Sequence, residues 1–336
     1  MKIGDIEIGN KIIIVAEIGG NHNGDFEIAK RMIHEAAAHG ADIVKFQTYN
    51  ARKLVSKSVP LPKHVQGVHR TLRDRLCSLE FSKDQWMELK DVAEQKGLIF
   101  LSTPFDEETA DFLGPIVPAF KIASGDLNNL PLLEHIAQKG KPIILSCGMA
   151  DEQEIMSALK LLPKDRTILM HCIAKYPTPP EEANLLSIVY LRDRFGVPIG
   201  YSDHTLGINA CIAAAAMGSV VIEKHFTLDK GQPIGDHKLS ADPKDLERLV
   251  GRVREIEKMM GVRGKPNESD EPSRRWLRRS IHARVDIEPG TELSKDKLIM
   301  LRPSDGIPPD QLDKVIGRKT REKIRKGSVL TYGMLD

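Results

Sequence analysis

Residues 12–48 read IIIVAEIGGNHNGDFEIAKRMIHEAAAHGADIVKFQT. The stretch opens on one apolar, β-branched run (12–18), closes on another (42–48), and changes period between them. From Asp25 to Gly40 the apolar positions are Phe26, Ala29, Met32, Ile33 and Ala36. That is the spacing of one helix face, and Gly40 supplies a C-terminal stop. A strand, a helix and a second strand, each strand almost continuously apolar, is the pattern of a parallel sheet covered on both faces.

The unit recurs along the chain. Further runs lie at 98–105 (LIFLSTPF), 119–125 (AFKIASG), 142–148 (PIILSCG), 167–172 (TILMHC), 198–204 (PIGYSDH) and 220–226 (VVIEKHF). After the last of them, Leu246, Leu249, Val250, Val253, Ile256 and Met260 form another helical stripe before Gly261. Eight β/α units within residues 1–261 predict an α/β protein with a (β/α)8 TIM barrel. An open doubly wound sheet is the alternative, but no GxGxxG follows the first strand. Residues 262–279 are polar and rich in Pro and Gly, which predicts a linker. From 280 to 336, short alternating runs (SIHARVDI, KLIMLRP, SVLTYG) separated by Pro-Gly and Lys-Gly turns predict a small β-rich domain. The segment 50–81 exceeds an ordinary connection and is expected to cover the mouth of the barrel.

Composition narrows the function classes. The 336 residues carry a formal net charge of +2, which offers no electrostatic case for nucleic acid. Residues 262–336 hold 17 Lys and Arg against 12 Asp and Glu, a mild excess that suits an anionic substrate, an acidic neighbouring subunit or simply water. Cys77, Cys147, Cys172 and Cys211 show no CxxC pairing, so neither a disulfide framework nor a structural zinc site is expected. No apolar run approaches a membrane span, and the N-terminal residues lack a secretory hydrophobic core, so a cytoplasmic protein without a membrane partner is expected.

Barrel catalysis sits at the C-terminal ends of the strands. Those ends carry Glu17, Lys45 and Gln47, Ser102 and Thr103, Lys121 and Ser124, Ser146, His171 with Tyr176 beyond it, Ser202 to His204, and Glu223 to His225. A lysine in a strand is usually an edge or surface residue. Lys45 and Lys121, flanked by Ile, Val, Phe and Ala, argue against that, because a buried ammonium needs a partner. An anion between them, phosphate or carboxylate, would provide one. The Ser and Thr residues either cap the following helices or present the same N-termini to a phosphate. His204 and His225, on adjacent strand ends, form a candidate divalent-metal pair with Asp236 and His237 shortly after. Two imidazoles leave positions open for water and substrate. His171 reads better as a bonded core histidine, and Cys172 as a packed thiol.

The segments AEIGGNHNGD, VKFQTY, LSTPFD, KIASGD, SDHT and EKHFTLDK, in this order, resemble the sialic acid synthase family. The tail, through IHARVDIEPG, MLRPSDGI and GRKTREKIRKG, resembles that family's antifreeze-like (SAF) domain, so the likeness spans essentially the whole chain. The resemblance implies a transferase that condenses phosphoenolpyruvate with N-acetylmannosamine or a related amino sugar and releases phosphate. His204 and His225 fall on the family's manganese ligands, for which magnesium or cobalt could substitute. Lys45, Thr103, Lys121, Ser124, Ser146 and Ser202 fall on its phosphoenolpyruvate positions, and Glu17 on its strand-one carboxylate. Tyr176 and Asp236 fall on residues that meet the amino sugar. Arg302 matches an arginine that reaches the other subunit's site in a domain-swapped homodimer. Around strand six, HCIAKY is closer to the spore-coat polysaccharide branch, and Asp126, a substrate-binding position by the same resemblance, stands where a glutamate is usual. EIGGNHNG and SGDLNN speak mildly against the pseudaminic acid branch. A neighbouring synthase acting on a phosphorylated sugar, with Arg52, Lys57, Lys63 and Lys175 as extra cations, and an inactive carbohydrate-binding relative are the rival readings.

Overall fold

The computed structural model describes residues 1–61, 69–261, 264 and 271–336, in two compact units, Met1–Gly261 and Val262–Asp336. In the first unit a short hairpin (Lys2–Ile3 with Ile6–Glu7) precedes eight parallel strands. These are β1 (Ile13–Glu17), β2 (Ile43–Thr48), β3 (Ile99–Pro104), β4 (Phe120–Ile122), β5 (Ile143–Ser146), β6 (Thr167–Cys172), β7 (Ile199–Asp203) and β8 (Val221–His225). Hydrogen-bonded neighbours run β3-β2-β1-β8-β7-β6-β5-β4, and β3 and β4 pack against each other, so the sheet forms a nearly closed barrel. The open doubly wound alternative is thereby excluded.

Among the described residues a covering helix follows each strand: α1 (Phe26–Ala38), α2 (Lys83–Gln95), α3 (Glu107–Leu113), α4 (Leu130–Ala137), α5 (Glu152–Leu161), α6 (Ser187–Phe195), α7 (Asn209–Ala216) and α8 (Pro243–Met259). Their starts are written in the sequence. Asp25 accepts from the Ile28 amide at the head of α1, and Ser82–Gln85 and Asp151–Glu154 close capping boxes on α2 and α5. On α1 the buried residues are Ala29, Met32, Ile33 and Ala36, and Gly40 turns the chain out of the helix at φ +84°. At the N-terminal end of the barrel, Asp42 accepts from the Ile14 amide (2.9 Å) and pairs with Lys11 (2.6 Å) and Arg254 (2.9 Å), stitching β1, β2 and α8 together. The chemistry is left to the opposite end.

The run 119–125 yields only the three residues of β4, because Ser124–Asp126 turn at once into a 3-10 helix. Insertion 50–81 is partly helical (Ala51–Leu54 and Leu72–Cys77). Its described residues pack beside the first βα loop instead of lining the main cavity of the barrel mouth. Lys63 lies outside the described residues.

In the second unit, Glu271–Leu277 is helical within the stretch expected to be linker, most of whose other residues lie outside the described ones. Strand β9 (Ser280–Ala283) pairs antiparallel with β10 (Leu298–Leu301) over a small core that includes Ile281, Ile287, Leu293, Val315 and Leu330.

Candidate active site

Register sets the site. Glu17 on β1 is level with Lys45 on β2 and with His225 on β8, and side chains at one level of a parallel sheet share a face. Two residues back along β8, Glu223 takes the same inward face and is level with Ser202 on β7. Lys224, between them, points to the helix side.

Glu17, Lys45, Thr103 and Lys121 line a cavity of about 480 Å³. Ser124, Ser146, Tyr176, Ser202, His204 and His225 also line it, with Gln47, Cys172 and Glu223. Lys45 Nζ lies 2.5 Å from Glu17 Oε2, 3.5 Å from Glu223 Oε1 and 3.5 Å from Thr103 Oγ1. That Glu17 oxygen receives no well-directed hydrogen bond. Gln47 Nε2 donates to the other Glu17 oxygen (3.0 Å). Lys121 Nζ donates to Ser146 Oγ (2.7 Å) and lies 3.8 Å from Glu223 Oε1. Ser202 Oγ donates to that same oxygen (3.3 Å). Ser124 Oγ accepts from the Gly148 amide (3.0 Å) and touches Cys172 Sγ at 3.1 Å.

The two carboxylates differ in character. Burial raises the Glu17 carboxyl to about 7; Lys45 pulls the other way, and Glu223 adds to the rise. Burial also disfavours ionised Glu223, but Lys121 and Lys45 outweigh it and hold that group below the usual carboxylate range. Burial likewise holds the Lys121 ammonium below the usual lysine range. The cavity floor therefore pairs one firmly ionised acid with one that exchanges its proton near neutrality, a division of labour seen where acid and base are separated.

His204 and His225 stand with ring centroids 5.5 Å apart, and Tyr176 packs on His204 at 4.1 Å. His204 Nδ1 donates to the Ile173 carbonyl (2.7 Å), which leaves its Nε2 lone pair available. His225 Nδ1 is buried without a hydrogen-bond partner, 3.8 Å from Asp236 Oδ2. Burial holds both rings neutral, His225 the more strongly. Two neutral imidazoles, one with an orphaned nitrogen, fit a divalent cation. Among the described residues no group of three or more His, Cys, Asp or Glu is arranged around one point, so remaining ligands would be water or substrate oxygens.

Some expectations move. Asp126 accepts from Asn129 Nδ2 (3.2 Å) at the head of α4 and does not line the cavity. Asp236 lines an adjoining cavity of about 440 Å³ that shares Tyr176 as a wall. Arg302 is exposed and belongs to the second unit. His171 Nε2 bonds the Ala183 carbonyl at 2.9 Å, as a core histidine does. The residue underweighted from sequence is Glu223, on which both lysines converge. Its signal was the two-residue step to His225 in EKH.

Comparison with known proteins agrees with this architecture. The NeuB family profile matches residues 32–265, and the SAF domain profile matches residues 278–336. The chain is 39% identical to an N,N'-diacetyllegionaminic acid synthase of Legionella pneumophila, covering 95% of this chain and 93% of that one. It is 36% identical to the N-acetylneuraminate-9-phosphate synthase of Homo sapiens, covering 96% and 92%. Among solved structures, an N-acetylneuraminic acid synthetase from Leptospira borgpetersenii, in complex with citrate, superposes with a TM-score of 0.74 at 36% identity, over 81% of this chain and 94% of that one. By profile, sequence and architecture together, the chain belongs to the NeuB family and carries a SAF domain.

Proposed function

We propose that this chain is a cytoplasmic nonulosonic acid synthase that joins phosphoenolpyruvate to an amino-sugar aldehyde and releases phosphate. The observation that carries the reading is the convergence of Lys45 and Lys121 on the single ionised carboxylate of Glu223 inside one cavity. With Glu17 protonated, two ammonium groups face one negative charge, and the surplus is matched to an anionic substrate.

In this reading Lys45 and Lys121 hold the carboxylate and phosphate of phosphoenolpyruvate. Thr103, Ser124, Ser146 and Ser202 donate to the remaining oxygens, so the reacting carbon is positioned before chemistry starts. Carbon 3 of phosphoenolpyruvate forms the new bond to the aldehyde carbon, and the aldehyde oxygen takes up a proton. Water then adds at carbon 2 and loses one proton; the C–O bond to phosphate breaks as the carbon 2 carbonyl forms, and the remaining hydroxyl proton leaves with the phosphate. Glu17, with its carboxyl near 7 and its second oxygen held by Gln47, can give the first proton and take the second. A divalent cation, manganese by family resemblance, would be held by His204 and His225 and would supply Lewis-acid polarisation of the aldehyde oxygen. Tyr176 and Asp236 face the acceptor end, and Arg302 of a partner chain completes it in a domain-swapped homodimer.

An unphosphorylated acceptor is favoured over a phosphorylated one, because Lys175, the rival cation that stands between the cavity-lining residues Ala174 and Tyr176, is already paired with Glu182. The test is phosphate release from phosphoenolpyruvate across a panel of amino sugars, with manganese and with chelator. Sugar-dependent release abolished by chelator supports the proposal. Release only with phosphorylated sugars would move the acceptor to the rival class, and no release with any sugar would leave the inactive-relative reading.

A further inference from the structure

The loop from Thr227 to His237, after β8, carries Asp236 but contains neither helix nor strand. Leu239 and Ser240 bond the Asp236 carbonyl from beyond the loop, and within it side-chain bonds form a chain that starts far away in sequence. Arg75, in the helical part of the insertion after β2, is only 8% exposed. Its Nη2 donates to Asn23 Oδ1 (2.8 Å), on the loop after β1. Asn23 Nδ2 meets His237 Nε2 (3.3 Å), and His237 Nδ1 meets Thr227 Oγ1 (2.7 Å). Thr227 Oγ1 in turn donates to the Asp229 carbonyl (3.2 Å).

The direction of every bond follows from the first. A guanidinium has donors and no acceptor, so it fixes the Asn23 amide with its oxygen toward Arg75 and its NH2 toward His237. His237 Nε2 must then accept, so the proton sits on Nδ1 and is given to Thr227. Bonds aligned head to tail polarise one another, and each strengthens the next. Burial, with the Arg75 charge beside it, holds His237 at about 4, so the ring stays neutral in this arrangement. Asn23 is held in a left-handed backbone conformation (φ +54°) to reach both partners, while the next residue, Gly24, lies against the backbone of Ser78.

We infer that Arg75 is a positioning residue for the acceptor: through Asn23 and His237 it fixes the loop that carries Asp236. This rests on the functional reading above only in naming what Asp236 meets. Its consequence is selective. The groups assigned to phosphoenolpyruvate stand on β2 to β7 and in the turns beyond them, away from the chain of bonds, whereas Asp236 lies one residue from its third member. Loss of the Arg75 donor frees the Asn23 amide to turn over, which removes the requirement for the Nδ1–H form of His237 and loosens residues 235–237.

The experiment compares full-length wild type with Arg75→Ala, Arg75→Lys and Asn23→Ala. For Arg75→Ala the KM for the amino sugar should rise about tenfold or more while that for phosphoenolpyruvate stays within about twofold. Arg75→Lys, which keeps a donor, should recover most of the loss. Should Arg75→Ala fail to fold, Asn23→Ala breaks the chain from its other side and should give the same split. The ¹⁵N shifts of His237, read without turnover, should report Nδ1–H in wild type and a tautomer mixture in Arg75→Ala. Equal changes in both KM values, an unchanged sugar KM, or a tautomer that ignores Arg75 would overturn the inference. A wild type that releases no phosphate with any sugar would instead overturn the functional reading, and the tautomer would still decide whether Arg75 sets the loop.

Discussion

Lys224 Nζ lies 2.6 Å from Asp203 Oδ2, with both side chains sealed from water on the helix side of the barrel. Both members have further partners. Asp203 also accepts from Tyr201 Oη (3.0 Å), the Thr205 amide (2.9 Å) and Cys211 Sγ (3.3 Å). Lys224 donates a second time, to the Thr205 carbonyl at 2.6 Å. Each member directly precedes one of the paired histidines, His204 and His225, and so locks both strand ends that present them.

Removing one charge of a buried pair leaves the other unpaired, at a typical cost of about 3–5 kcal/mol. Asp203→Asn, which preserves size but not charge, should therefore lower the unfolding free energy, read from denaturant titration, by that amount. The double variant Asp203→Asn/Lys224→Gln should lose clearly less than the sum of the singles, because the orphaned ammonium is gone. Additive losses would mean the two residues do not act as a pair.

Glu17 gives a stability change whose sign can be worked out. Its carboxyl keeps its proton to about 7 when folded and releases it near 4.5 when exposed. Between those values the folded protein binds more protons, so this group's contribution is intact below the lower value and is lost as pH rises through the upper one. The loss amounts to about 3 kcal/mol. Glu17→Gln imitates the protonated form. In metal-free buffer it should match wild type near pH 4.5 and exceed it by roughly that amount at pH 8, the difference cancelling other titrating groups. Parallel curves would place Glu17 among ordinary carboxylates.

Why these features were unevenly legible follows from distance along the chain. The barrel could be read because each strand states its own burial: TILMHC is buried at every position, and no neighbour is needed to see that it belongs inside. Strand ends were legible for the same reason, since polar groups interrupt apolar runs there. Partners were not. That Lys45 and Lys121 would share Glu223, more than a hundred residues on, depends on closure of the sheet, so the expected external anion is partly anticipated by a carboxylate of the protein itself. The partner of Asp126 was hidden by a local event, the 3-10 turn after β4 that delivers its carboxyl to Asn129.

His225→Ala separates metal binding from folding. The ring nitrogen it removes is buried and unsatisfied, so the metal-free variant should be no less stable than expected for loss of packing alone. Wild type should gain stability on adding manganese, about 2.7 kcal/mol at a hundredfold excess over Kd. The variant should gain none and should show no turnover. A variant still stabilised by the ion would remove His225 from the ligand set.

Gly148 tests, by volume alone, the part of the cavity that the proposed function assigns to phosphoenolpyruvate. Its φ is unremarkable for any residue, but a Cβ there would stand 2.9 Å from Cys172 Sγ and 2.9 Å from Ser124 Oγ. Ser124 cannot retreat freely, because its hydroxyl oxygen accepts from the Gly148 amide itself (3.0 Å). Gly148→Ala should therefore displace Ser124 from the cavity wall and raise the KM for phosphoenolpyruvate by about 10–100-fold, a loss of the size carried by one well-placed donor. The amino-sugar KM should change little, the reverse of the pattern expected for Arg75→Ala. Adding Cys172→Ala to Gly148→Ala removes the sulfur that blocks the new methyl and should restore part of the affinity. Unchanged phosphoenolpyruvate kinetics in the single variant would mean that Ser124 serves only to tie the turn after β4 to the turn after β5, and that the lysines bind the anion without it.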